Sequence, residues 1–399
     1  MSQSSTTHLL PPLLGGYPLK RDLVPSIICS ALYASLLPLF LYRVCRKSTR
    51  TSVLSAIAGL IIERSIMFGL RAGISNEPRN AQGFQESEGL MEYLQTTLFM
   101  GIVPVAQDLS YLVRTILVNA SYGSEAIKEI PRLQEYLKPS NADVETATKI
   151  STSCWRDDAI SMKTWQPETK SVWSFSGTTI VPDEDVNYPD EPRRRFWFRR
   201  MHGGFQVLFV VIFVTGLVGN NRLVAQRDNL AKSRENEILR YVSTALSVLV
   251  FLFMNSVVVW ALVAMPRMNR KATKYVFLVS ALMIVPAIYR FTVVAQKTTV
   301  YWAYENSAQN DVKDKALFYI INVMPEWLAV FILLRINVRE VFQTGIEGDS
   351  RRRDETPAEK EKRLLREKEK ELKNGNGLIT VPVISKLSRG RYVTPLISS

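Results

Sequence analysis

Cysteine and histidine are scarce in this chain, with three of the first and two of the second in 399 residues. Cys29, Cys45 and Cys154 are scattered, so neither a disulfide framework nor a metal-ligand spacing is expected. His8 and His202 are too few for a seven-span zinc hydrolase, which needs about three histidines and a carboxylate. No P-loop, HExxH or GxSxG pattern occurs, so no enzyme and no cofactor or metal is expected. Residues 1–18 lack a basic stretch followed by a short apolar core, and the first apolar run is therefore expected to remain as a membrane span. The mean hydropathy of +0.01 would suit a soluble protein. That average mixes long apolar runs with a polar central loop and a charged tail. The net charge of +13 does not imply nucleic acid, because the basic residues flank the apolar runs.

Seven apolar segments can be drawn: 23–44, 53–74, 90–118, 203–218, 238–265, 273–295 and 316–336. All but the fourth exceed the roughly 30 Å bilayer core at about 1.5 Å per residue. The fold class expected is an all-α membrane protein, a seven-transmembrane helix bundle. Arg43, Arg46, Lys47 and Arg50 in the first connection, and Arg267, Arg270, Lys271 and Lys274 in the fifth, contrast with the mixed charges of the second and sixth. Together they outweigh the fourth, whose Arg222, Arg227, Lys232 and Arg234 argue the other way. By the positive-inside rule the N-terminus is then outside and the C-terminus cytoplasmic. The expected parts are a short extracellular N-terminus (1–22), helices 1–3 (23–118), a long cytoplasmic loop (119–200), helices 4–7 (201–345) and a charged tail (346–399).

Charged residues inside spans are costly at about 2.5–3.5 kcal/mol or more, so they should face protein or water. The candidates are Glu63, Arg64 and Arg71 on the second helix, Asp108 on the third, Arg290 on the sixth, and Asn322 with Glu326 on the last. Asn322 and Glu326 are four apart and share a helix face. Depth pairs Arg64 with Asp108 and Arg290 with Glu326. Such pairs act either as helix–helix glue or as the walls of an outward polar cavity that receives a ligand.

The loop 119–200 carries an amphipathic piece (126–137) and a strand-like piece (172–181). It ends in an aromatic-basic run in which Arg193, Arg194, Arg195, Trp197, Arg199 and Arg200 are expected to meet lipid headgroups. In the tail, Thr356, Pro357 and Glu359 form a helix-start signature, with a stop near Asn374-Gly375. Loop and tail offer surfaces to a cytosolic partner.

A retinal pigment needs a lysine in the last helix, and 316–336 contains none. Arg114 follows Val113 without an acid before it, unlike the pair of rhodopsin-like receptors. Lys315, Ala316, Phe318, Tyr319, Asn322 and Glu326 resemble the closing segment of an uncharacterised fungal seven-transmembrane family often labelled family-C-like G-protein-coupled receptors. The GGYP before the first helix, Arg64, Arg71, Pro266-Arg267 and Arg290 fit it too. The resemblance implies a receptor-like or sensor role in a fungal membrane, with the plasma membrane the expected location. The alternatives are a lipid or small-molecule translocator and a structural membrane component. A pocket closed at the cytoplasmic end favours the receptor; a groove open to lipid favours translocation.

Overall fold

The computed structural model describes residues 11–46, 49–76, 88–124, 189–221, 230–265, 267–297 and 309–344, with scattered positions between 353 and 369. Among them every regular element is helical. The elements are α1 (Leu23–Cys45), α2 (Ser55–Asn76), α3 (Glu88–Met100), α4 (Ile102–Ala120), α5 (Pro192–Asn220), α6 (Leu230–Ala264), α7 (Arg270–Ala295), α8 (Val312–Leu317), a π-helical turn (Phe318–Val323), α9 (Met324–Arg335) and α10 (Val338–Val341).

Six stretches are long and apolar enough to cross a membrane: 20–45, 89–120, 192–220, 231–264, 270–295 and 312–335. The chain is thus of multi-pass membrane type. The most apolar 18-residue part of the stretch 89–120, made of α3 and α4, is 83% buried, against 22% to 44% for the matching parts of the other five. It therefore stands at the centre. Around it α1 packs on α2, α5 on α6, α6 on α7, and the last helix closes back onto α7 and α1.

The second helix is not one of the six. Every 18-residue window of α2 contains Glu63, Arg64 and Arg71, too much charge for a helix judged alone. Its two sides differ sharply. Ile62, Ile66 and Leu70, at four-residue spacing, are exposed, while Arg64, Met67, Phe68 and Arg71 are buried. A stripe of that spacing is one face of a helix.

Several helices outrun the apolar segments. α5 begins at Pro192, eleven residues before Gly203, because proline suits the first helical position and Arg195 and Arg199, four apart, turn to the buried side. The aromatic-basic run is thus helix rather than the end of a loop. The last span starts at Val312, which brings Lys315 inside it.

Residues 11–19 are all buried. They form no free terminus; they pack into the bundle end from which α1 departs, called the N-face below. Gln95 holds Leu14 on both sides, its Oε1 accepting from the Leu14 amide (2.8 Å) and its Nε2 donating to the Leu14 carbonyl (3.2 Å). Arg240 donates to the Pro12 carbonyl (3.0 Å). Gly15 and Gly16 have φ of +69° and +61°, and a Cβ on Gly16 would lie 2.3 Å from Asn310 Oδ1. Only glycine makes this turn without strain.

At the opposite C-face, Arg43 Nε donates to the Leu334 carbonyl (3.0 Å) and Asn269 to that of Val341 (2.9 Å). The tail, 353–399, is a separate unit. There the Thr356 amide donates to Glu359 (2.9 Å) and the Glu359 amide to the Thr356 hydroxyl (3.4 Å), and the described residues from 358 to 369 are helical. The expected capping box forms, and it holds the Glu359 carboxyl below its ordinary value. The pieces 126–137 and 172–181 and the expected stop at Asn374-Gly375 lie outside the described residues.

Candidate functional site: a buried charge network and a groove on the flank

Glu326 is the centre of the bundle's charge network. Its Oε1 accepts from Arg64 Nε (2.5 Å) and the Tyr33 hydroxyl (3.3 Å). Its Oε2 accepts from Arg64 Nη2 (3.1 Å) and Arg290 Nη2 (2.9 Å). The remaining guanidinium hydrogens find carbonyls. Arg64 Nη1 donates to Thr97 (3.0 Å) and Nη2 to Leu98 (3.4 Å), while Arg290 Nη1 donates to Phe99 (3.0 Å) and Nε to Asn322 Oδ1 (2.8 Å). One carboxylate and two arginines, all at 2% side-chain exposure or less, would be intolerable unpaired; here both oxygens and most donors are satisfied.

Local sequence makes this possible. Three consecutive carbonyls, 97 to 99, turn toward arginines just where the central span breaks between α3 and α4. Pro104 has no N–H to give the Met100 carbonyl, which loosens the helix there. Gly101 supplies the room: a Cβ on it would lie 1.5 Å from Arg64 Nη2. In the last helix, Pro325 likewise cannot donate to Ile321, and the chain widens into the π turn, with the Met324 amide reaching Tyr319. Such π turns are frequent at functional sites.

A second network lies nearer the N-face. Lys315 Nζ donates to Asp22 Oδ2 (2.8 Å) and to the carbonyls of Gly15 (2.8 Å) and Tyr17 (2.6 Å). Arg71 Nη2 donates to the Gly15 carbonyl (2.6 Å), lies 3.8 Å from Asp22, and stacks over Phe318 at 5.1 Å. The N-terminal segment is therefore stitched to the second and last helices by buried charge.

The expected Arg290–Glu326 pair is present. The expected Arg64–Asp108 pair is not. Asp108 accepts from the Ile57 amide (3.1 Å), an orphan donor in the first turn of α2, where a carboxylate also suits the helix dipole. Ile57 is seven residues, roughly 10 Å of helix at 1.5 Å each, from Arg64. Arg71 belongs with Asp22 and Lys315 instead of the Glu326 cluster. Glu63 joins neither, since a neighbour in sequence points about 100° away around a helix. Asp22, Gln95 and Arg240 were not singled out by sequence, and Lys315 entered only through the family resemblance, not as a buried charge. Each sits at or beyond the edge of an apolar run, where a charge is ordinary until a loop folds over it. Lys315 also removes the premise that the last helix has no lysine; its ammonium is instead spent on Asp22 and two carbonyls in the helix's first turns.

The basic run is divided. Arg193, Arg194, Trp197 and Arg200 are exposed, but Arg195 and Arg199 are buried and do not face headgroups. Arg195 forms a two-armed pair with Asp190 (2.8 and 2.9 Å) and lies over the Tyr122 ring at 4.1 Å. Asp190 Oδ1 also accepts from the Gly123 amide (3.0 Å). Its carboxyl is held below the usual aspartate range, first by the Arg195 hydrogen bonds. Arg267 donates to the Tyr122 carbonyl (2.7 Å). Both ends of the long connection thus meet in one neck at the C-face.

A cavity lies elsewhere. A groove of about 590 Å³ runs along the flank between α2, the central α3–α4 span and α5. Glu63, Glu92, Tyr93, Thr96, Gln107 and Leu217 are among its walls. From Gly89 to Gln107 it follows roughly 27 Å of helix at 1.5 Å per residue. Tyr93 and Phe213 on its walls are exposed.

Compared with family models, with curated proteins and with solved structures, the chain matches none of them.

Proposed function

We propose that this chain is a seven-span protein, N-terminus outside, that takes an amphiphile from the bilayer into the flank groove and moves it between leaflets. The observation that carries the reading is the groove itself, which lies on the flank of the bundle and is lined from the N-face ends of α3 and α5, at Gly89 and Asn221, to Gln107 within the central span. A receptor-type cavity would open at the N-face, but there residues 11–19 and the Asp22–Lys315 network fill the bundle. α2 supplies the seventh span: its exposed Ile62, Ile66 and Leu70 suit lipid while its arginines face inward. Basic residues at the C-face, Arg43, Arg267 and Arg335 among them, support a cytoplasmic C-face. Exposed Arg193, Arg194, Trp197 and Arg200 suit contact with headgroups there.

The second reading is the receptor-like sensor implied by the fungal family resemblance. The breaks at Gly101 and at the π turn favour it, since each abuts the Glu326 network and a shift in one element would re-pair its charges. Residues 125–188 of the long connection, which lie outside the described residues, would supply the docking surface for a cytosolic partner. One preparation separates the readings. The reconstituted protein is tested for movement of a fluorescent phospholipid across liposomes and, in parallel, for nucleotide exchange on G proteins. Lipid movement that Leu217→Trp blocks supports translocation. Nucleotide exchange without lipid movement overturns it in favour of the sensor.

A further inference from the structure

Glu63 is an intramembrane charge that makes no hydrogen bond to either network among the described residues. It is half-buried, nine residues into α2, on the wall of the flank groove. Among the described residues it has neither a hydrogen bond nor an ion pair. Its neighbour Arg64 is fully engaged by Glu326 and by the carbonyls of Thr97 and Leu98. A carboxylate at this depth costs several kcal/mol unless something compensates it. Among the described residues lining the groove, the charged ones, Glu63 and Glu92, are both acidic. The walls also carry Thr96, Thr97 and the Tyr93 ring, together with apolar Met100, Val103, Phe213 and Leu217. Acidic and apolar residues on the walls of one groove match a molecule with a cationic head and a hydrocarbon chain.

We propose that the groove binds a single-chain or lipid amphiphile with a cationic amine head, supplied by the bilayer, whose ammonium group pairs with Glu63. This deepens the translocation reading and rests on it. The charge pair compensates the carboxylate's desolvation, and the ammonium gains the same relief, so head and site favour each other more at membrane depth than in water. Neutral amphiphiles of equal length occupy the groove without that contribution.

The test uses the full chain in phosphatidylcholine nanodiscs, with radiolabelled octadecylamine and octadecanol as probes and empty nanodiscs to correct for partitioning. Octadecylamine binds saturably and more tightly than octadecanol. Glu63→Gln weakens octadecylamine at least ten-fold, leaves octadecanol within two-fold, and lowers the melting temperature far less than Glu326→Gln, because Glu63 makes no hydrogen bond or ion pair among the described residues. Glu63→Asp retains the preference for the amine. Leu217→Trp, which fills the groove, removes both probes. Equal binding of amine and alcohol, or an unchanged amine affinity in Glu63→Gln, overturns the cationic assignment. If that happens while Leu217→Trp still removes both probes, the groove reading stands; if Leu217→Trp leaves binding intact, the groove reading falls with it.

Discussion

At the scale of single residues, the bundle depends on how one carboxylate is shared. Glu326 is shared by two buried arginines, and the pair is tolerated because carbonyls 97 and 98 take further hydrogens of Arg64 while the Phe99 carbonyl and Asn322 take those of Arg290. Glu326→Gln leaves both guanidinium groups buried without a counter-charge. Breaking a buried pair from one side costs about 3–5 kcal/mol, so the melting temperature in detergent should fall sharply, and an unchanged value would reduce Glu326 to packing. Gly101 carries a linked expectation. Its alanine variant places a methyl group where Arg64 Nη2 lies and should be strongly destabilising. In an Arg64→Ala background the same change should be nearly neutral. A coupling energy between the two substitutions in the range of about 0.5–3 kcal/mol is expected for directly touching residues, and additivity would refute the contact.

At the scale of elements, the features that position the chemistry are local irregularities. Proline and glycine interrupt the third and last spans beside the arginines, and α5 extends past its apolar run because Arg195 turns inward to Asp190. The neck at the C-face should respond to pH in a defined direction. The Asp190 carboxyl has a folded pKa depressed below its unfolded value. Its stabilising contribution is therefore complete above about pH 4, the ordinary aspartate range, and is lost as pH falls through the folded value. Asp190 is partly exposed, so the effect is screened and small. Hydrogen exchange at the Gly123 amide, corrected for intrinsic rates, should accelerate in Asp190→Asn at neutral pH and in the unmodified protein only in acid.

At the scale of the whole molecule, topology is the expectation most open to a direct check. Cys45 is exposed at the C-face, whereas Cys29 is buried. In a Cys154→Ser background, a membrane-impermeant maleimide should label Cys45 only after cells are permeabilised. An added Lys313→Cys at the N-face should label in intact cells. The reverse pattern would invert the molecule and place the N-terminal segment inside.

The helical spans and the Arg290–Glu326 pair were legible in the chain because hydrocarbon length and helical spacing are local properties. The same logic marked Arg64 and Arg71 as inward-facing, since charges on an apolar stretch have few other places to go. Which cation meets which anion was not legible. Depth alone favoured Asp108 for Arg64, but a gap at Gly101 and a shift of the last helix gave Arg64 to Glu326, and Asp108 went to a helix start. The buried stitch of Asp22 and Lys315 also escaped, because each lies at an edge where sequence places water. Apolar length and charge spacing along single helices determined that this is a membrane bundle with a polar interior. Only tertiary structure decided the pairings, the inward fold of residues 11–19 and the free carboxylate in the groove, because those depend on distances between helices that no single segment contains.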